Sequence, residues 1–174
     1  MVLLQTEKSG ILKELWELDE ILYRQNVCNL FRKKAVVISG ECTIAESFEI
    51  MKENDTDYVL VRDQNGNLQG IFTSRDVVKK IPPERMHQDL YQPVSDYMST
   101  GLVSLKCTDT VKTAIQTLYC NSFEHLPIID SSNGRIKGVV TLKDIALFLT
   151  EYFPEMVNNY IPGQRMSADR VEGA

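Results

Sequence analysis

Histidine is scarce in this chain, with only His87 and His125 among 174 residues, and the four cysteines, Cys28, Cys42, Cys107 and Cys120, form no C-x-x-C pair. Zinc-ligand spacing is therefore absent, and no metal site is expected. A disulfide framework is not expected in a chain of this length. The cysteines read as reduced thiols that act as small hydrophobes in a cytosolic protein. No apolar run approaches the ~20 residues that a membrane helix needs. The opening Met1-Val2-Leu3-Leu4 lacks a basic region followed by a long apolar stretch, so it does not read as a signal peptide. A cytoplasmic protein with no membrane partner is the expectation.

The usual catalytic and phosphate-cradling patterns are missing as well. There is no G-x-x-x-x-G-K-[ST], no G-x-G-x-x-G, no G-x-S-x-G and no H-E-x-x-H. His87 sits in a polar stretch without an obvious nucleophile. Neither Cys42 nor Cys107 has neighbours that would activate it beside His125. The chain does not read as an enzyme, and no catalytic cofactor is expected. The net charge of -5 arises from acids and bases mixed along the chain, with no Lys/Arg stripe. That excludes nucleic acid as the expected partner. It leaves room for a small anionic ligand, which needs only a few local donors.

What the chain does have is a copy of itself. Val27-Cys-Asn-Leu-Phe-Arg-Lys-Lys-Ala-Val-Val-Ile38 aligns with Val94-Ser-Asp-Tyr-Met-Ser-Thr-Gly-Leu-Val-Ser-Leu105 at an offset of 67, with apolar positions matched. The same offset pairs Thr43 with Thr110, Asn54 with Asn121 and Asp63 with Asp130. One extra residue in the second copy's turn moves the offset to 68, which pairs Gly70 with Gly138, Thr73 with Thr141 and Asp76 with Asp144.

Each copy reads β-α-β-β-α. In the first, Ala35–Ser39 is an apolar strand, and Thr43 with Glu46 forms a capping box that opens a helix. Tyr58–Val61 and Leu68–Thr73 are strands joined by a turn at Asn65-Gly66. Arg75–Ile81 is the closing helix, stopped by Pro82-Pro83. The second copy offers Leu102–Leu105, Thr110–Cys120, Leu126–Ile129, Ile136–Leu142 and a helix from Lys143 to about Phe153. The organisation expected is an amphipathic N-terminal helix within residues 1–26, a repeat over 27–81, a linker over 82–93, a second repeat over 94–153 and a tail over 154–174. In the N-terminal helix Ser9 is a candidate cap, and Ile11, Leu15, Leu18 and Leu22 form one stripe widened by Leu12, Trp16 and Tyr23. That stripe packs on its own domain or meets a partner. The tail after Pro162 has little to bury and is expected to be disordered.

The two closing segments are Gly70-Ile-Phe-Thr-Ser-Arg-Asp76 and Gly138-Val-Val-Thr-Leu-Lys-Asp144. Gly-x-x-Thr-x-x-Asp at the end of a β-α-β-β-α unit resembles the hallmark of cystathionine-β-synthase (CBS) domains. So do the strand Leu126-Pro-Ile-Ile-Asp130 and the opening Val94-Ser-Asp-Tyr-Met98. The resemblance covers about Val27 to Phe153. It implies an α/β fold of two CBS repeats about a pseudo-two-fold axis, with the N-terminal helix outside it and a ligand cleft associated with each Thr-x-x-Asp.

The chemistry suits a nucleoside phosphate. An ionised Asp accepts from two neighbouring ribose hydroxyls. The Thr hydroxyl lies one turn earlier, and the first turn of the helix favours an anion. The resemblance implies Asp76 and Asp144 on ribose and Thr73 and Thr141 near ribose and phosphate. Arg75 and Lys143 add positive charge there, or stand as solvated surface charges. Many nucleotide-binding members carry a basic residue where the second copy has His125 and the first has Tyr58, so unequal sites are expected. The ligand implied is AMP, ADP or ATP, or a related adenosyl or cyclic dinucleotide ligand. The protein would act as a regulatory sensor that passes a signal to a regulated protein. The alternative is a ligand-free dimerisation scaffold whose Thr-x-x-Asp motifs only cap helices. A homodimer through the closing helices is expected in either case, because Ile145, Ala146, Leu147, Phe148 and Leu149 are too many apolar residues for a narrow stripe. The N-terminal helix is a possible second contact.

Overall fold

The computed structural model of the chain describes residues 13, 15–31 and 34–154. Ser9, Ile11, Leu12 and the tail after Pro162 lie outside the described residues. Residues 15–24 are helical (α1). The first repeat then runs β1 (Val37–Ser39), α2 (Ile44–Glu53), β2 (Tyr58–Arg62), β3 (Leu68–Thr73) and α3 (Ser74–Lys80). A short helix, α4 (Met86–Asp89), follows. The second repeat runs β4 (Leu105–Lys106), α5 (Val111–Asn121), β5 (His125–Ile129), β6 (Ile136–Thr141) and α6 (Leu142–Tyr152).

Each repeat builds a three-stranded sheet, ordered β1-β2-β3 and β4-β5-β6, whose first pair is parallel and second antiparallel. Thr43 closes the start of α2 as its spacing predicts. Its hydroxyl accepts from the Glu46 amide at 3.2 Å, and the Glu46 carboxylate accepts from the Thr43 amide at 2.8 Å. The opening strands are shorter than the apolar runs suggest. Only Val37–Ser39 and Leu105–Lys106 meet a partner strand in register. Ala35 and Leu102 ahead of them instead pack in an apolar layer between the repeats, with Leu60, Ile71 and Val139. The linker is not bare chain either. Asp89 is buried there beside Arg85, and the Leu90 carbonyl accepts from the Ala45 amide at 2.9 Å.

The opening segments of the repeats are exchanged. Val27 and Leu30 lie in the core of the second repeat, with Val111, Leu118, Leu126 and Phe148. Val94, with Tyr97 and Met98, lies in the core of the first, with Ile44, Val59 and Phe72. Backbone bonds fix the crossing. The Val27 amide donates to the Asp109 carbonyl at 2.9 Å, and the Val94 amide to the Cys42 carbonyl at 2.8 Å.

This exchange corrects the reading of the cysteines as reduced thiols. Cys28 and Cys107 are joined as a disulfide, with Cα atoms 4.9 Å apart. They are 79 residues apart in sequence, so nothing in their spacing announces the pair. The crossing brings them together. The equivalent positions in the other half are Ser95 and Gly40, linked only by an amide-to-carbonyl bond of 3.1 Å. Cys42 and Cys120 are free.

Helix α1 packs on its own chain. Ile21 and Leu22 rest against the second repeat's core, and Asp19 pairs with Lys112 at 2.6 Å. The Lys112 ammonium also stands 5.2 Å from the centre of the Tyr23 ring. Trp16 remains 70% exposed. Among the described residues no helix is long and apolar enough to cross a membrane.

Candidate functional site

The glycine of each Gly-x-x-Thr-x-x-Asp segment is explained by the exchange. A Cβ on Gly70 would sit 2.5 Å from the Met98 sulfur and 2.8 Å from the Ser99 carbonyl oxygen. A Cβ on Gly138 would sit 2.7 Å from the Phe31 ring. Met98 and Phe31 are themselves equivalent residues of the two opening segments. Each glycine thus lets the other repeat's opening segment cross over the strand that leads into the closing helix.

Thr73 and Thr141 end those strands and cap α3 and α6. In both, the Thr hydroxyl accepts from the Asp amide at 3.2 Å, and the Asp carboxylate accepts from the Thr amide, at 2.9 Å for Asp76 and 2.8 Å for Asp144. The hydroxyl proton is committed as well, donated to the same carboxylate oxygen at 2.8 Å by Thr73 and 2.6 Å by Thr141. The threonines are therefore not free donors in this state.

An open cleft of about 1220 Å³ lies where the repeats meet. Its lining brings together four of the residues singled out in sequence, Thr141, Lys143, Asp144 and His125. Phe31, Lys34, Lys52, Asp57, Tyr58 and Leu147 join them. Asp144 is half-buried, and only its Oδ2 is used by the cap. Oδ1 has no partner among the described residues. The amides of Leu142 and Lys143 begin α6 and have no intrahelical carbonyl to reach. The cleft thus offers a carboxylate acceptor, a helix start and lysines from three separate segments beside apolar walls from Phe31, Val36 and Leu147.

Tyr58 and His125 both line the cleft, their rings 4.6 Å apart. His125 Nε2 is 3.2 Å from Asp57 Oδ1. Burial, with the charges of Asp144 and Asp57, pushes the Tyr58 hydroxyl up to about 12, so it stays a neutral donor.

Thr73, Arg75 and Asp76 lie outside this lining. Arg75 pairs with Glu124. Asp76 is only 6% exposed, and its Oδ1 accepts from Lys80 at 2.8 Å and from Ser99 at 2.8 Å. Burial alone would raise the Asp76 carboxyl. Hydrogen bonds from Lys80, Ser99 and Thr73 more than offset it and hold the group below its ordinary value. Phe31, Lys34 and Asp57 were not singled out in sequence. The apolar pairing of Phe31 with Met98 across the repeats was the one available signal.

A chain built from two exchanged β-α-β-β-α units, each ending in Gly-x-x-Thr-x-x-Asp, is a tandem-repeat α/β fold. It matches the family described as CBS domain over residues 27–83 and 94–151, and the chain belongs to that family. A 17.7 kDa protein from the bps2 3′ region of Acidianus ambivalens is 33% identical over 125 residues, which is 72% of this chain and 73% of the relative. An inosine-5′-monophosphate dehydrogenase of Methanocaldococcus jannaschii is 31% identical over 113 residues. That is 65% of this chain but only 21% of the dehydrogenase, so the chain spans about a fifth of that relative.

Among solved structures, the CBS-domain protein ATU1752 of Agrobacterium tumefaciens superposes with a TM-score of 0.63 at 25% identity, covering 71% of this chain and 98% of that one. The CBS domain pair of protein MJ0100, in complex with 5′-methylthioadenosine and S-adenosyl-L-methionine, gives 0.63 at 20% identity, covering 74% and 98%. CBSX2 in complex with AMP gives 0.62 at 17% identity, covering 74% and 98%. At that identity the last two share the fold.

Proposed function

We propose that this CBS pair is a regulatory ligand-binding module that takes an adenosine-containing ligand, AMP, ADP, ATP or an adenosyl compound, in the cleft at Asp144. The observation that carries the reading is Asp144 Oδ1, without a partner among the described residues, at the open start of α6 and on a cleft with room for a nucleoside and its phosphates. In this reading the Asp144 carboxylate accepts from ribose hydroxyls. Lys143 and the Leu142 and Lys143 amides meet phosphate, or the carboxylate of an adenosyl amino acid. His125 and Tyr58 flank the ligand. The complexes of MJ0100 and CBSX2 support this ligand class by analogy of fold. The role is binding rather than catalysis.

The reading extends to assembly and setting. A homodimer covers exposed apolar residues of the closing helices, Val78 at 84% and Leu142 at 54% exposure. A regulated protein receives the signal. The cytoplasm supplies such ligands, and the Cys28–Cys107 bond is the feature that its reducing poise would open.

A second reading has its own support. Both Thr-x-x-Asp motifs make complete capping boxes, which a ligand-free scaffold would also need. Thermal melting with AMP, ADP, ATP and S-adenosylmethionine separates the two. A ligand at 100 times its Kd should stabilise the chain by about 2.7 kcal/mol. Melting curves unmoved by all four ligands would leave the scaffold.

A further inference from the structure

The two Gly-x-x-Thr-x-x-Asp segments are alike, but their surroundings differ at three equivalent positions. The first is the free side of the aspartate. Asp76 Oδ1 is taken by Lys80 and Ser99, and the Lys80 ammonium is held in turn by the carbonyls of Tyr97 at 2.7 Å and Met98 at 3.0 Å. The residue equivalent to Lys80 is Phe148, which is buried in the second core, so that position sends no ammonium to Asp144 Oδ1. The second is the start of the helix. The Ser74 amide of α3 donates to the Asp57 carbonyl at 2.9 Å. The equivalent bond from Leu142 to Glu124 is not made. The third is the adjacent cation. Arg75 pairs with Glu124 across the repeats. Its equivalent, Lys143, pairs with no acid among the described residues, and the corresponding Asp57 lies 3.2 Å from His125 Nε2 instead.

We infer that the module has one ligand site per chain, because the first repeat's Thr-x-x-Asp is closed by the chain's own Lys80, Ser99 and Arg75. The inference rests on the ligand-binding reading above. A ribose hydroxyl approaching Asp76 would have to displace an ammonium from a carboxylate whose side chain is only 8% exposed. A neutral donor is weaker than the charged one it would replace, and the displaced Lys80 would lose two carbonyl partners. An anion at α3 meets an amide already bonded and an arginine already paired. At Asp144 the acceptor, the first amide and the lysine lack such partners among the described residues. Lys80 therefore acts as a built-in occupant. It also straps residues 97–99, the opening segment of the second repeat, to the first repeat.

Equilibrium dialysis of the full chain with radiolabelled AMP, ADP, ATP and S-adenosylmethionine tests this. For whichever ligand binds, saturation is expected at one molecule per chain. Asp76→Asn should leave the affinity unchanged, whereas Asp144→Asn should lower it by about ten-fold or more. Saturation at two per chain, or equal weakening by the two variants, overturns the inference and leaves the ligand reading standing. Binding of none of the four overturns both. If Asp76→Asn does not fold, the wild-type saturation value decides alone.

Discussion

The Tyr58 and His125 rings meet at 4.6 Å, tilted by 50°, although the two residues hold the same position in successive repeats. A residue meets its own equivalent only at the axis that relates the copies. Asn67 and Arg135, another equivalent pair, do the same through an isolated antiparallel bridge. The axis therefore runs beside the cleft that both rings line, and that cleft takes its walls from both repeats. At this point the copies have diverged in chemistry. Tyr58 is a neutral hydroxyl held protonated by burial, and His125 is an imidazole facing Asp57.

The exchange of opening segments makes the motif glycines sensitive. Gly138→Ala places a methyl against the Phe31 ring, and Gly70→Ala places one against the Ser99 carbonyl. Each is expected to cost about 1–3 kcal/mol, the usual cost of overpacking. Urea unfolding measures it. Gly138→Ala should also weaken ligand binding, because Phe31 lines the cleft. Unchanged midpoints would contradict the packing described.

Much of this was legible in the chain. The repeat register, the Thr43 capping box and the strands expected at Tyr58–Val61 and Leu68–Thr73 follow from local periodicity and turn residues, and the fold class follows from them; the first strand runs one residue further, to Arg62. The exchange was not legible, since it depends on contacts between residues distant in sequence, such as Val27 with Asp109 and Phe31 with Gly138. With it went the Cys28–Cys107 pair, the reason for Gly70 and Gly138, and the place of Phe31 in the cleft. The difference between Asp76 and Asp144 was hidden for the same reason. Lys80 reads as one more charge at a helix end until the Tyr97–Ser99 segment is laid across it.

The disulfide closes a long loop. Cys28→Ser under oxidising conditions, or reduction of the wild type, is expected to cost about 2–4 kcal/mol. The equivalent Ser95 and Gly40 carry no crosslink, so the fold should survive the loss. Equilibrium unfolding with and without dithiothreitol measures the difference, and Cys120→Ser serves as the control. Identical curves in oxidised and reduced wild type would contradict a structural role for the bond.

Acid should destabilise the chain partly through Asp76. Its folded value lies below the ordinary carboxyl value, so its stabilising contribution is complete above about pH 4 and is lost as pH falls through the folded value. The urea midpoint should therefore drop between pH 5 and pH 3, and by less in Asp76→Asn. An equal drop in wild type and variant would show that the Lys80–Asp76–Ser99 cluster contributes no linkage.

Assembly is read from the closing helices. The chain is expected to sediment as a dimer, and Val78→Asp should shift it toward monomer by charging an exposed apolar face. Trp16→Asp on α1 should not, because Ile21 and Leu22 already seat that helix on its own repeat. A wild-type monomer at high micromolar concentration would contradict the dimer.

In the proposed function Asp144 holds a ligand as well as capping α6. Isothermal titration of the wild type and Asp144→Ala with the adenine ligand that raises the melting temperature most tests it directly. The expected result is a loss of about 1.5–3 kcal/mol of binding free energy in the variant, as befits hydrogen bonds to a charged group. An affinity left intact while only the melting temperature falls would contradict the claim and leave Asp144 as a helix cap.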